Sequence, residues 1–536
     1  MRFLISVLLL GLLAWPWPVV HAARAVRPVK TTAVEVRAEE PPAEPSYPDI
    51  AANDEPTPRL NGPRVVGTTP GREFIYRLPV TGAAPLTCTV TNLPPGLTFD
   101  AATGVIRGRV EKEGTTPVAI TVRNRYGTAR ATLRIVAGRN KLALTPPMGW
   151  NSWNVWGTQV SDEKVRAAAE ALERTGLAAC GYRYVCIDDG WQGRRTPEGV
   201  MQPNERFPDM KALGDWLHAR GFLFGMYTSP GPFTCGRYLG SWRHEEADAR
   251  LYASWGVDYL KHDWCSYEGI ARQKTPEVLQ QPYIVMRAAL DKTDRDIVYA
   301  ICQYGMGEVW TWARQPNIGG NLWRTTGDIE DTWQSVSEIG FRHSPLARFA
   351  GPGGWNDPDM LVLGVVGWGE KTRPTRLTPD EQITHMTLWA LLAAPLILGC
   401  DLTRLDEFTR RLLTNPEVIG IDQDELGVPA TRRDTAQDGT EVWARPLADG
   451  RLAVGLFNRS NDTQTVTANW RDLGLRGRCT VRDVWQRRDV GTFDQVFAAL
   501  VPPHGARLLL LRPQPTAPRS PRRTATPPAN QHGNGN

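Results

Sequence analysis

Eight short apolar segments that alternate with helical patterns constrain the fold of residues 139–425 more than any other feature of the sequence. Helical patterns cover 163–174, 208–220 and 381–393, among others. Strands that alternate with helices form parallel sheets, and eight such units in about 290 residues match the size of a (β/α)8 barrel. We therefore predict a TIM barrel. Its expected strands are 148–153, 184–188, 223–228, 257–263, 297–302, 322–326, 348–351 and 395–398.

The segments on either side of this barrel have a different pattern. Residues 58–138 contain short β segments separated by Gly, Pro and Asn turns, which predicts an immunoglobulin-like β-sandwich. It lacks a cluster of acids or histidines, so its expected role is that of a spacer or a binding module. Alternation by two over 426–512 predicts a C-terminal antiparallel β-sandwich. The compositions of 23–57 and 513–536 predict a disordered linker and a disordered tail.

The first 22 residues resemble a secretory signal peptide. Arg2 precedes an apolar run over 3–14, and residues 20–22 (Val-His-Ala) form a small-residue cleavage pattern. An uncleaved anchor is the alternative, but Pro16 and Pro18 interrupt a run that is already short for a membrane span. We expect a secreted or periplasmic protein without membrane attachment after cleavage. The eight cysteines are too sparse for a disulfide scaffold and lack paired CxxC zinc spacing.

Charge and composition limit the partners of the chain. The net charge is +5, and no basic stripe with interleaved aromatic residues is present, so nucleic-acid binding is disfavoured. The 20 tryptophans suit stacking against sugar faces, with burial in the core as the simpler alternative. The oligomeric state stays open.

The strand expected at 257–263 ends in two charged residues. Lys261 and Asp263 share one face because side chains alternate along a strand, and strand ends carry the chemistry of parallel barrels. A neighbouring lysine lowers the pKa of a carboxyl group, which makes Asp263 a candidate covalent nucleophile. Taken alone, a structural ion pair is the simpler interpretation.

Acidic residues also follow three other predicted strands. Each group could instead be solvated or lie at a helix N-terminus. Because all strand ends meet on one face of a barrel, we expect a cleft of carboxylates and aromatic rings that suits a polyhydroxylated ring. The groups are Asp188 with Asp189; Asp328 with Glu330 and Asp331; and Asp357 with Asp359.

Two chemistries use such a cluster, and the sequence favours glycoside hydrolysis over metal-dependent hydrolysis. Only His262 adjoins a candidate acid, and by alternation it points away from Asp263, so no metal site is expected. Glycoside hydrolysis needs one ionised and one protonated carboxyl group. Asp263 suits the first role, and Asp328 could be kept protonated by its acidic neighbours Glu330 and Asp331.

Five ordered motifs resemble glycoside hydrolase family 27, the α-galactosidase and α-N-acetylgalactosaminidase family. The resemblance covers roughly residues 142–500. It implies a retaining mechanism without a metal or other cofactor. The motifs are Pro147-Met148-Gly149-Trp150, Asp188-Asp189-Gly190-Trp191, Lys261-x-Asp263-x-Cys265, Trp323-Arg324 with Asp328-Ile329-x-Asp331, and Gly354-Trp355-Asn356-Asp357-Pro358-Asp359.

The resemblance assigns roles to individual residues. The nucleophile of the family falls on Asp263 and its general acid/base on Asp328. Cys235 and Cys265 match a pair that forms a disulfide beside the nucleophile. The positions that resemble the family's sugar-binding residues are Trp153, Asp188, Asp189, Tyr227, Lys261, Gln303, Arg324 and Asp359.

The chain departs from the family pattern after the fifth strand. It has Gln303-Tyr304 where the better-known animal enzymes have Glu-Trp, in a loop that reads the C2 substituent. His262 replaces a common aromatic residue and is expected to pack outward against a helix. The resemblance implies an α-galactosidase acting on oligosaccharides or polysaccharides, and Asp188 and Asp189 favour galactose. The alternatives are a β-L-arabinopyranosidase, an α-N-acetylgalactosaminidase, or a carbohydrate-binding protein that has lost catalysis.

Overall fold

The structure is a computed structural model that describes residues 48–434 and 438–514. The predicted signal peptide, the part of the predicted linker before residue 48, and the predicted tail after residue 514 lie outside the described residues. Within the described ranges, the structure contains no helix of sufficient length and apolar character to span a membrane.

A TIM-like barrel of eight parallel strands occupies the centre of the chain, which confirms the predicted fold class. The strands are hydrogen-bonded in the order β7-β6-β5-β4-β3-β2-β1-β8, and a parallel bridge between Leu361 and Leu398 joins the two ends of the sheet. The strands are β1 (Met148–Asn151), β2 (Tyr184–Cys186), β3 (Leu223–Thr228), β4 (Val257–His262), β5 (Val298–Ile301), β6 (Leu322–Arg324), β7 (Trp355–Asp357) and β8 (Leu396–Leu398).

Several helices begin at a side chain that caps the first turn. Asp209 accepts a hydrogen bond from the backbone N–H of Ala212, so the helix predicted from 208 begins at Met210. Thr378 and Glu381 form a reciprocal capping box. The helices are α1 (Trp153–Trp156), α2 (Asp162–Arg174), α3 (Leu177–Cys180), α4 (Met210–Ala219), α5 (Glu245–Trp255), α6 (Pro276–Asp291), α7 (Trp333–Gly340), α8 (Pro379–Leu392), α9 (Glu407–Thr414) and α10 (Pro416–Asp422).

Shorter elements fill the connections of the barrel. Two hairpins pair Gln192–Arg195 with Met201–Pro203, and Val365–Val366 with Arg373–Pro374. The 3-10 helices are Gly157–Gln159, Tyr267–Gly269, Val309–Thr311, Phe341–Phe349 and Leu402–Arg404.

The prediction of the seventh strand is wrong. Residues 341–349 form a 3-10 helix, and β7 lies at Trp355–Asp357. This strand is difficult to find because only its first residue is apolar. The Asn356 side chain is instead satisfied inside the protein, where it accepts from Trp323 Nε1 at 2.8 Å and donates to the Leu346 carbonyl.

The two flanking domains are built from β-strands. The N-terminal domain has sheets of four and three strands around its own core, together with a two-stranded sheet, and the C-terminal domain has antiparallel sheets of six and two strands. The N-terminal strands are Arg59–Leu60, Val65–Thr68, Glu73–Arg77, Val80–Thr81, Thr87–Thr91, Leu97–Asp100, Val105–Arg109, Gly114–Asn124 and Gly127–Ala137; the C-terminal strands are Thr431–Arg432, Thr440–Pro446, Leu452–Asn458, Gln464–Asn469, Arg478–Asp483, Arg488–Asp494, Val496–Val501 and Ala506–Pro513.

The N-terminal domain docks on the face of the barrel where the strands begin. Glu73 pairs with Arg295 at 2.7 Å, and Arg295 pairs with the buried Asp258 of β4 at 2.6 Å. A second ion pair joins Arg77 to Glu173 of α2 at 2.7 Å. A cavity of about 500 Å³ lies at this junction and contains none of the predicted site residues.

Residues 48–57 are ordered against the rest of the protein, so the prediction of a disordered linker is wrong for this part. Ile50 is buried, and the backbone N–H of Ala51 donates to the Trp485 carbonyl at 2.9 Å. The Asn53 side chain donates to the Arg411 carbonyl at the same distance. A single apolar residue and a few hydrogen bonds fix the segment, and neither produces a periodic pattern.

Many of the tryptophans that the structure describes are buried in the protein core, which supports the core interpretation for these residues. Their indole N–H groups commonly bind backbone carbonyls, for example Trp150 to Cys400 at 2.8 Å and Trp191 to Tyr227 at 2.9 Å. Seven tryptophans of the described ranges are fully buried: Trp150, Trp191, Trp323, Trp355, Trp389, Trp443 and Trp470.

Candidate active site

Asp263 lies directly after β4 at the carboxyl end of the barrel and is 3% exposed. Its backbone N–H donates to the Thr228 carbonyl at 3.0 Å, which fixes the residue against β3. Burial raises the pKa of Asp263 above its ordinary value. Lys261 opposes this shift, as predicted, but does not outweigh it. The negative charge of Asp328 also raises this pKa, so the Asp263 carboxyl group lies within the electrostatic field of Asp328.

Lys261 contacts Asp188 rather than Asp263. Its ammonium group lies 2.8 Å from Asp188 Oδ2, and the same oxygen accepts from the Asn151 side chain at 2.8 Å. The ammonium also lies 5.1 Å from the centre of the Tyr227 ring, a residue paired with Lys261 in the sheet. Residues at the ends of β1, β2, β3 and β4 therefore form one connected group.

Asp189 and Tyr227 carry polar atoms that the protein does not satisfy. Asp189 Oδ2 accepts from the Gly236 N–H at 2.6 Å, but its Oδ1 is buried and has no partner among the described residues. The hydroxyl of Tyr227 is likewise buried and unpaired within the described chain. Burial raises the pKa of Asp189 to about 6. Buried polar groups normally have partners, so these two atoms are free to bond a polar ligand.

Asp328 lies four residues after the end of β6, and its side chain is 64% exposed. Arg324 Nη2 lies 3.0 Å from its Oδ1. Partial burial raises the pKa of Asp328, but Arg324 and Lys261 outweigh it and hold the pKa below the ordinary value. The prediction that acidic neighbours keep Asp328 protonated is therefore wrong. Asp331 is turned away and pairs with two guanidinium groups, those of Arg373 at 2.5 Å and Arg376 at 2.8 Å.

Asp359 holds the loop that carries Asp328. Its Oδ2 accepts from Arg324 at 2.8 Å and from the backbone N–H of Ile329 at 2.9 Å, and its Oδ1 accepts from Met360 N–H at 2.8 Å. The backbone of Asp359 has φ of 83°, a left-handed conformation uncommon outside glycine and often found at functional sites. The structure thus places Asp359 beside Arg324 and Ile329.

The loop after β5 brings Tyr304, and not Gln303, to Asp263. The Gln303 amide donates to the Leu279 carbonyl of α6 at 2.9 Å, and the residue has no exposed surface. The Tyr304 hydroxyl donates to Asp263 Oδ1. Sequence reasoning missed Tyr304, although the departure from the Glu-Trp pattern was the signal that marked this loop.

The remaining predicted residues lie around this cluster. Trp153 is half-buried in α1, and its backbone N–H donates to Asn151 Oδ1 at 2.8 Å. Cys235 and Cys265 form the expected disulfide, with a Cα–Cα distance of 5.2 Å, and the other six cysteines are free. His262 is buried and bonds Tyr299 at 2.7 Å. It faces outward, as predicted, with its ring edge-on to a tyrosine of α6.

In the described part of the chain, one group has spacing suited to a metal ion: Cys235, Asp263 and Cys265. Its two sulfur atoms are joined in the disulfide, so they are not free thiolates. The arrangement that remains is a pair of carboxyl groups at the ends of β4 and β6, beside carboxylates that can accept hydroxyl hydrogen bonds. Paired carboxyl groups of this kind on a TIM barrel are the arrangement that the class of glycoside hydrolases uses.

Comparisons with known proteins agree with this class. Three family profiles match the chain: "Alpha galactosidase A" over residues 145–424, "Alpha galactosidase C-terminal beta sandwich domain" over 437–511, and "Putative Ig domain" over 57–137. The α-galactosidase of Cyamopsis tetragonoloba is 42% identical over 388 residues, which is 71% of this chain and 90% of that protein.

Solved structures extend the similarity beyond the barrel. A "putative alpha-galactosidase/melibiase" from Bacteroides fragilis has a TM-score of 0.81 at 36% identity, covering 85% of this chain and 98% of that one. A GH27 β-L-arabinopyranosidase from Geobacillus stearothermophilus has a TM-score of 0.62 at 28% identity, covering 69% and 98%. The chain belongs to the α-galactosidase (melibiase) family, glycoside hydrolase family 27.

Proposed function

We propose that this protein is a retaining α-galactosidase that removes terminal, non-reducing α-D-galactosyl residues from oligosaccharides or polysaccharides. The observation that carries the proposal is the placement of Asp263 and Asp328 after β4 and β6 at the same end of the barrel, where the charge of Asp328 raises the pKa of Asp263. Retention requires the two carboxyl groups to flank one anomeric carbon at about 5–5.5 Å. The family membership and the named α-galactosidases among its relatives support the same reaction.

The reaction proceeds in two displacements. In the first, Asp263 attacks the anomeric carbon while Asp328 donates a proton to the departing glycosidic oxygen. In the second, Asp328 takes a proton from water, which releases galactose from Asp263. Arg324 lowers the pKa of Asp328 in the free protein. A bound sugar that excludes water from this exposed carboxyl group would raise its pKa and favour the protonated form.

The unpaired polar atoms of the pocket support galactose as the substrate. Asp188 and Asp189 form the end of the pocket that the family uses for the O4 and O6 hydroxyl groups. Asp189 Oδ1 and the Tyr227 hydroxyl are unsatisfied within the described chain, so a ligand hydroxyl can restore their hydrogen bonds. L-Arabinopyranose lacks the C6 group and satisfies fewer of these atoms. The structural similarity to a β-L-arabinopyranosidase keeps that sugar as the second candidate.

The test compares nitrophenyl α-D-galactoside, β-L-arabinopyranoside and α-D-N-acetylgalactosaminide as substrates of the wild-type protein. Galactoside hydrolysis should dominate, and proton NMR should show α-galactose as the first product. Asp263→Asn should abolish turnover with an unchanged thermal midpoint. The matched control is Asp215→Asn, which changes an exposed acid on α4. Turnover that survives Asp263→Asn would refute the assigned nucleophile. A wild-type protein that hydrolyses none of the three substrates would refute an enzymatic role.

We also propose that the protein is exported. The support is the signal-like sequence of residues 1–22 together with a disulfide beside Asp263, since disulfides persist in oxidising compartments. N-terminal sequencing of the mature protein should find a start after Ala22. A mature chain that begins at Met1 and remains in the cytoplasm would contradict this proposal.

A further inference from the structure

The two oxygens of the Asp263 carboxylate have unequal surroundings. Oδ1 accepts two hydrogen bonds, one from the backbone N–H of Trp264 at 2.8 Å and one from the Tyr304 hydroxyl. Oδ2 has no hydrogen-bond partner among the residues that the structure describes. Lys261, the nearest cation along the strand, is held on Asp188 instead. One oxygen of the carboxylate is therefore fixed by donors, and the other is left for the sugar.

Tyr304 is held firmly in this position. Its backbone has φ of 58°, a left-handed conformation that a bulky residue adopts at a cost. The next residue, Gly305, packs against the Thr325 carbonyl so closely that any side chain there would collide with it. The Tyr304 hydroxyl lies 3.8 Å from each sulfur of the Cys235–Cys265 disulfide. The loop, the disulfide and the nucleophile thus meet at one hydroxyl group.

We propose that Tyr304 is a positioning residue that fixes Asp263 Oδ1 and so presents Oδ2 as the attacking atom. This inference rests on the proposed function and adds a residue to it. Burial raises the pKa of the Tyr304 hydroxyl well above its ordinary value, so the group stays a proton donor throughout the working pH range. With Trp264 N–H, it forms a pair of donors aimed at the oxygen on which negative charge reappears when Asp263 departs.

The two donors on Asp263 Oδ1 affect the rates of the two displacements differently. In the first, the bond from Oδ2 to the anomeric carbon forms, the bond to the aglycone oxygen breaks, and that oxygen takes the Asp328 proton. Oδ1 becomes the carbonyl oxygen of the glycosyl ester. In the second, water attacks the anomeric carbon, gives its proton to Asp328, and the electrons of the broken ester bond return to the carboxylate. Donors on Oδ1 stabilise that departing carboxylate, so Tyr304 assists the second displacement more than the first.

The experiment is the substitution Tyr304→Phe, assayed with nitrophenyl α-D-galactoside. Nitrophenolate leaves readily, so the first displacement stays fast while the second loses a hydrogen bond to a charged group. We expect kcat to fall on the order of 10- to 100-fold, KM to fall with it, and nitrophenol to appear in a burst equal to the enzyme concentration. The matched control is Tyr182→Phe, which removes another buried hydroxyl, bonded to Leu413, and should leave kcat unchanged.

Three outcomes overturn the inference. An unchanged kcat in Tyr304→Phe shows that the hydroxyl does not act on Asp263. A raised KM without a burst shows that Tyr304 contacts the sugar instead. If the difference in KM from wild type disappears with a 2-deoxygalactoside, that contact is at C2. A similar loss in Tyr182→Phe shows that any buried hydroxyl has this effect. A wild-type protein that is inactive on the galactoside would refute the proposed function itself, and active wild type with unaffected Tyr304→Phe would refute only this inference.

Discussion

The disulfide between Cys235 and Cys265 should stabilise both the barrel and the position of Asp263. It links the loops after β3 and β4 across 30 residues, and Cys265 Sγ lies 3.7 Å from Asp263 Oδ1. The test replaces both cysteines by serine. The loss of loop-closure entropy from the unfolded chain is worth about 3–4 kcal/mol for a loop of this length. We expect the double variant to be destabilised by that amount.

This free energy can be converted to a thermal shift. The barrel profile spans residues 145–424, about 280 residues, and unfolding entropy is about 2.1 cal/mol/K per residue. The midpoint of barrel unfolding should therefore fall by about 6 °C. The kcat should also fall, because Asp263 and Tyr304 both contact the disulfide. Calorimetry and the galactoside assay measure the two effects.

The wild-type protein offers an internal control. Its six other cysteines are all free, so dithiothreitol can reduce only this disulfide. Reductant should lower the midpoint and kcat of the wild type to the values of the double serine variant, and should leave the variant unchanged. A double variant with a midpoint within 1 °C of wild type and an unchanged kcat would show that the loops are fixed by their other contacts, and the reasoning would fail.

Three further predictions concern charge. Arg295→Met removes one partner of the buried Asp258, which keeps His218 Nε2 at 2.7 Å and the Phe224 N–H at 2.8 Å, and should cost about 1.5–3 kcal/mol. Glu73→Gln, at the more exposed end of the same network, should cost at most about 1 kcal/mol. Urea unfolding checks both. Galactose should bind more tightly as pH rises through about 6, where Asp189 ionises; calorimetric titration should find no such dependence in Asp189→Asn. The reaction needs an ionised Asp263 and a protonated Asp328, and the pKa of Asp263 is raised while that of Asp328 is lowered. The value of kcat/KM should therefore peak at acidic pH and decline towards neutrality. A profile that stays flat to pH 8 would contradict these shifts.

The fold was predictable where burial produces a regular pattern. Strands such as β3 and β4 are apolar runs, and the alternation with helices identifies the barrel. Strand β7 has a single apolar residue, and its Asn356 is satisfied by tertiary hydrogen bonds that no local pattern encodes. The segment around Ile50 is ordered for a similar reason, since its partners are hundreds of residues away.

The site was predictable as a set of positions but not as a set of contacts. Motif order identified Asp263 and Asp328, whereas the partners of each charge depend on side-chain directions at the barrel rim. Proximity in sequence suggested that Lys261 pairs with Asp263 and that Asp328 interacts with Asp331. In the structure, Lys261 pairs with Asp188, and Asp328 pairs with Arg324. Tyr304 was missed because its contact with Asp263 spans 41 positions and depends on a left-handed turn.

The N-terminal domain docks on the side of the barrel opposite the rim that carries Asp263 and Asp328. Its ion pairs through Glu73 and Arg77 lie on the face where the barrel strands begin, while Asp263 and Asp328 lie where they end. Immobilising the protein on a bead or an electrode through this domain would therefore orient every molecule with its entrance towards the liquid. Polymer chains too large to diffuse between the protein and its support would still reach the two carboxyl groups that we propose carry the reaction.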